Sequence, residues 1–144
     1  AKGALHVTAT TFASSFIENK GGGKFAIRPL PDIAQVAPIF GMQATDADGD
    51  GHLDLLLVGN SYATDVLVGR YDAGKGLLLR GDGRGGFSPV SLQKTGLLAD
   101  RDAKALAMVA TGPRECLWLV SNNNDTLQVF RPTRPLTRPA LKLA

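Results

Sequence analysis

An apolar strand, a glycine-rich turn and a phenylalanine-led strand occur twice in this chain, at 15–25 and again at 77–87, and that repetition restricts the fold more than any other feature. Ser15-Phe16-Ile17-Glu18-Asn19-Lys20-Gly21-Gly22-Gly23-Lys24-Phe25 lies over Leu77-Leu78-Leu79-Arg80-Gly81-Asp82-Gly83-Arg84-Gly85-Gly86-Phe87. With the same offset held and no gap, Leu55, Leu57, Val58 and Asn60 fall on Leu117, Leu119, Val120 and Asn122. Seventeen glycines and eight prolines among 144 residues suit short strands and tight turns, and they leave little room for long helices.

Ten strands are predicted, at about 5–10, 14–18, 24–29, 40–45, 53–59, 77–80, 87–92, 105–110, 115–121 and 126–131. Four short antiparallel strands per copy is the make-up of a β-propeller blade. The expected fold is therefore all-β, a β-propeller fragment of about two to two and a half four-stranded antiparallel blades. Residues 1–131 hold these blades, with repeat units at about 15–60 and 77–131 and an insertion at 61–76. So few blades cannot close a ring, so neighbouring blades from a parent chain or a homo-oligomer are expected to cover the open edges.

The formal charge of +3 is concentrated at one end: Arg131, Arg134, Arg138 and Lys142 have no acidic residue near them, and the rest of the chain holds 12 basic against 13 acidic groups. A nucleic-acid surface needs a basic face on the folded part, so no nucleic-acid partner is expected. Residues 132–144, with three prolines at Pro132, Pro135 and Pro139, are expected to form a Pro/Arg-rich extended tail. The longest stretch free of Asp, Glu, Lys and Arg, residues 3–17, is shorter than a membrane span and rich in Thr and Ser. No membrane span and no signal peptide are read, and the single Cys116 leaves the redox compartment open.

The chemistry concentrates in Asp46-Ala47-Asp48-Gly49-Asp50-Gly51-His52-Leu53-Asp54. Four carboxylates in so short a loop repel: at about 5 Å and an effective dielectric of about 20, each pair costs about 3 kcal/mol. A cation relieves that. Side-chain oxygens at positions 1, 3, 5 and 9, with the His52 carbonyl at position 7, form a hard-oxygen set in a flexible loop, which selects Ca²⁺ over Mg²⁺. An EF-hand needs a bidentate Glu at position 12, where this chain has Leu57, and the apolar run after Asp54 reads as a strand. The predicted metal site is thus Asp46, Asp48, Asp50, His52 and Asp54, on a loop between strands. In the second copy the four aspartates become Met108, Ala110, Gly112 and Cys116, so one calcium site is expected.

With Phe40-Gly41 before this DxDGDGxxD loop and Val58-Gly59-Asn60 after it, the chain resembles the FG-GAP or VCBS-type repeats of integrin-like β-propellers. It is similar to bacterial secreted proteins of the cartilage-acidic-protein type, in which VCBS repeats stand beside an ASPIC/UnbV segment. Further resembling stretches are Ser14 to Asn19, Gly69-Arg70-Tyr71-Asp72 and Asn123 to Phe130. The resemblance implies an extracytoplasmic, calcium-stabilised, non-enzymatic module that forms a protein- or glycan-binding surface for adhesion.

The insertion is the expected partner site, since it extends the surface without serving a sheet; Tyr62, Arg70, Tyr71 and Asp72 are its candidate contacts. Arg80-Gly81-Asp82 and the GxGxxG match at 81–86 read as hairpin turn, because a strand rather than a helix follows. Trp118 reads as core between blades. Two other readings remain open at this point: the propeller portion of a polysaccharide-acting enzyme, and a structural assembly module.

Overall fold

The computed structural model describes residues 3–133 apart from 6, 66 and 114. Nine strands form three antiparallel sheets. The first sheet is the hairpin β1 (Ser15–Gly21) and β2 (Lys24–Pro29). Strands β3 (Gly41–Thr45), β4 (Asp54–Val58), β5 (Leu77–Gly81) and β6 (Phe87–Val90) pair in chain order as a four-stranded second sheet. The third holds β7 (Ala103–Gly112), β8 (Glu115–Asn122) and β9 (Gln128–Phe130). Single helical turns at Asp32–Gln35 and Leu92–Thr95 sit in the connections between sheets. No described helix is long and apolar enough to cross a membrane. The chain is all-β, and none of the sheets closes on itself.

The three sheets stack face to face, with the second in the middle. Its strand β4 reads Leu55-Leu56-Leu57-Val58 without polar alternation because both of its faces are covered. Leu57 and Leu79 pack with Phe16, Leu30 and Phe87 toward the first sheet, where the rings of Phe16 and Phe87 meet edge to face at 5.5 Å. Leu56 and Val58 pack with Leu106, Cys116, Trp118 and Val120 toward the third. Strand β8 alternates instead: Cys116, Trp118 and Val120 are buried and Leu117 and Leu119 are only half-buried. Its second face lies at the end of the stack.

Strands β1 to β4 begin at 15, 24, 41 and 54, and β5 to β8 begin at 77, 87, 103 and 115, so corresponding starts are offset by 62, 63, 62 and 61. The ungapped offset of 62 is therefore one position out along β8. It lays Leu56, which faces the third sheet, over Trp118, which faces the second, and a slip of one position exchanges the two faces of a strand. An offset of 61 sets Leu56 and Val58 over Leu117 and Leu119. The pairing of β7 with β8 is irregular between Ala103 and Ala105 and again between Ala110 and Gly112, with the extra residue on β7 each time.

Two further expectations are corrected. The predicted strand at 5–10 is absent among the described residues there, and Leu5 and Val7 are 87% and 82% exposed, so the alternation there buries no face. The third sheet has three strands among the described residues, not four; the tail from 134 on lies outside them.

Gly41 marks the close approach of the second and third sheets. A Cβ there would collide with the backbone nitrogen of Leu106 and stand 2.8 Å from the Ala105 carbonyl carbon and from Val58 Cγ2. Backbone cannot rotate away as a side chain can. Gly41→Ala is expected to cost about 2 to 3 kcal/mol by overpacking, read as a lower urea midpoint at unchanged slope.

Candidate metal centre

The acidic loop joins β3 to β4, and it folds through its own aspartates. Asp46 accepts the N–H of Gly49 at 2.8 Å on one carboxylate oxygen and that of Gly51 at 3.1 Å on the other. Asp48 accepts from Asp50 N–H at 3.1 Å, and Asp50 from His52 N–H at 2.8 Å. These short-range side-chain bonds wind the chain around the carboxylates. The winding needs left-handed backbone at Gly49 (φ 86°) and Gly51 (φ 90°), a conformation that residues with a Cβ rarely adopt.

The result brings one carboxylate oxygen from each of Asp46, Asp48 and Asp50 within 4.8 Å of the others, and this group can hold a metal ion. Asp50 is exposed, while Asp46 is half-buried. At that separation and an effective dielectric of about 20, each pair of charges repels by about 3 kcal/mol. Carboxylate oxygens are hard donors and suit a hard cation.

Asp54 does different work. It is fully buried at the start of β4 and lies outside the three-carboxylate cluster. Its two oxygens accept the N–H of Ala47, inside the acidic loop, and of Gly81, at the end of β5, both at 2.9 Å. Asp54 therefore fastens the loop to the middle sheet. The His52 ring lies against Gly83 in the β5–β6 turn, where a Cβ would strike Nδ1; its backbone N–H is taken by Asp50, and the ring lies outside the three-carboxylate cluster.

The corresponding hairpin of the third sheet lacks this loop altogether. Ala110 pairs with Cys116 and Gly112 with Glu115, so the strands run on into a tight turn in place of a metal loop. Burial raises the Cys116 thiol above the usual range.

The insertion at 61–76 closes at its neck, where Ser61 and Tyr71 exchange backbone hydrogen bonds of 2.8 and 2.9 Å. Its four candidate partner residues separate. Tyr62 is half-buried and pinned to the following connection: its hydroxyl donates to the Asp100 carbonyl at 2.9 Å and its N–H to Asp102 at 3.2 Å. The Arg70 guanidinium lies 4.8 Å from the Tyr62 ring centroid. Arg70, Tyr71 and Asp72 are exposed, with Arg70 and Asp72 at 3.9 Å.

A second polar centre, not singled out by its sequence, lies beneath the insertion. Asn60, fully buried, donates to the carbonyls of Gly74 (2.9 Å) and Arg101 (2.8 Å) and accepts the Gly74 N–H at 2.8 Å. Asp102, 3% exposed, accepts from Lys104 Nζ at 2.7 Å and from Asn123 Nδ2 at 3.0 Å. Lys104 also donates to the Asn60 carbonyl at 2.7 Å and lies over the Phe40 ring. Desolvation alone would raise the Asp102 carboxyl, but Lys104, Asn123 and the Tyr62 N–H together hold it below the usual aspartate range. The Asp-x-Lys spacing was the only local signal for this pair.

No family model matches the chain, and neither the curated proteins nor the solved structures contain a match.

Proposed function

We propose that this chain is a run of calcium-stabilised β-propeller blades of the FG-GAP or VCBS type, a non-enzymatic module that presents a binding surface to a protein or glycan ligand outside the cytoplasm. The observation that carries this reading is the loop between β3 and β4, where Asp46, Asp48 and Asp50 converge on one point at the rim of a four-stranded antiparallel sheet stacked between two others. Calcium's role is structural: it cancels the repulsion among three carboxylates and fixes the β3–β4 connection. Extracytoplasmic fluids carry calcium at the millimolar level that such modules, with dissociation constants of about 10⁻⁴ to 10⁻³ M, require. The exposed residues at the neck of the insertion, Arg70, Tyr71 and Asp72, supply residue types suited to a ligand contact.

Scanning calorimetry with calcium and with chelator at matched ionic strength tests the site. At a hundredfold excess over the dissociation constant, calcium is expected to add about 2.7 kcal/mol, raising the midpoint by about 10 °C for a domain of this size. An unchanged midpoint removes the site, and an equal shift with magnesium removes the assignment to calcium. Asp48→Asn separates the ion from the loop. With chelator the variant is expected to melt higher than the parent, by about 1 kcal/mol once solvent screening reduces the pairwise repulsion; with calcium the rise seen in the parent is lost.

A further inference from the structure

The two ends of the sheet stack carry apolar faces that match each other. In the β1–β2 hairpin Ile17 pairs with Ile27 and Asn19 with Phe25, so these residues share the face turned away from the second sheet. Ile17, Phe25 and Ile27 are 59%, 62% and 56% exposed. At the other end Val109 pairs with Leu117, and Leu119 pairs with Ala107 and Val129. These form the outer face of the third sheet, with Val109 and Val129 44% and 54% exposed.

The repeat identifies what each face is shaped to meet. Ile17 and Phe25 correspond, at the offset of 62, to Leu79 and Phe87, which inside the molecule are packed under the preceding sheet. Leu117 and Leu119 correspond, at the offset of 61 that holds along β8, to Leu56 and Val58, which are packed under the following sheet. One end face therefore repeats the kind of surface that receives a preceding sheet, and the other repeats the kind that receives a following one. Opposite ends of one stack cannot meet, but those of two copies can. Ala105, Ala107, Val109, Leu117, Leu119 and Val129 form an uncharged centre to this face, with Glu115 exposed at its margin where the β7–β8 hairpin ends, so burial of the centre leaves no ion stranded.

We infer that this chain associates with a second copy of itself head to tail, the outer face of β7–β9 in one copy seating on the outer face of β1–β2 in the next. Such a contact is heterologous: it closes into a ring where the rotation per copy permits and otherwise extends as a filament. The inference rests on the stacking of the sheets and is independent of calcium.

Light scattering and sedimentation of the whole chain, with Ile27→Lys and Val129→Lys, test it. Both side chains are more than half exposed, so each variant is expected to melt with the parent. The parent is expected to form oligomers whose mass rises with concentration or stops at a closed ring. Each variant alone is expected to be monomeric, because every junction then meets one blocked face. An equimolar mixture is expected to give a one-to-one dimer and nothing larger, since each variant retains the face that the other lacks. A monomeric parent at high concentration, as when these faces await other parts of a longer polypeptide, overturns the inference. So does a mixture that stays monomeric, or a single variant that still associates. Should either lysine unfold the chain, Ile17→Lys and Val109→Lys repeat the cross on the same two faces.

Discussion

Asp54→Ala is expected to destabilise the fold by about 4 kcal/mol, enough to lower the melting midpoint by more than about 10 °C. The reason is that the carboxylate serves two donors at once: removing it strands the N–H of Ala47 and that of Gly81, each a buried or half-buried group at about 1 to 3 kcal/mol. No described Lys or Arg forms an ion pair with Asp54, so its loss strands no cation and the cost lies in the two N–H groups. Asp54→Asn keeps one acceptor and turns an amide N–H₂ toward a donor, so an intermediate loss is expected. Urea unfolding of the three proteins with chelator present measures the fastening role alone. Repeating it in calcium tells whether Asp54 is also a ligand: an added loss in calcium, beyond that seen with chelator, assigns it to the ion as well. A loss below about 1 kcal/mol with chelator rules out the fastening role.

That Asp54 fastens β4 to β5 was not legible in its sequence, although its place in the loop was. Position 9 of an acidic loop reads as a ligand, and its acceptor role depends on Gly81, 27 residues away, being brought beside it by the β4–β5 pairing. The short-range features were visible. The winding of the loop follows from aspartates two to five residues before the N–H groups they accept, and the strands around it from apolar runs between glycines. Nine of the ten expected strands form. The one at 5–10 fails because alternation specifies a face and not a neighbour. The one-position slip along β8 escaped for a related reason: register is set by which face is buried, which spacing alone cannot see. In the second copy the loss of the three clustered aspartates was legible, but the conversion of loop into paired strand was not, and at the offset of 61 Asp54 falls on Glu115 in place of Cys116.

The Asp102 centre carries the other large effect, and it is tied to pH. Asp102→Ala is expected to cost about 3 kcal/mol, because it leaves the Lys104 ammonium between the Asn60 carbonyl and the Phe40 ring with no counter-charge and deprives Asn123 and Tyr62 of their acceptor. Lys104 is about one-third exposed, which keeps the figure at the low end for a broken ion pair. The sign of the pH dependence follows from the folded carboxyl titrating below its unfolded range. Its stabilising contribution is complete above the ordinary aspartate pKa of about 4 and is lost as pH falls through the lower, folded value. Parent stability is therefore expected to fall as the pH drops below about 4, and the Asp102→Ala protein to fall less steeply there, so that the two curves converge in acid. Denaturant unfolding at successive pH values checks this. A constant gap between the curves would mean that Asp102 holds the fold together through shape rather than charge. Because Asp102 anchors Tyr62 and Asn60 anchors Gly74, the same substitution is expected to loosen the neck of the insertion and expose its tip to limited proteolysis. An exposed surface of the molecule is thus held in place by a buried charge.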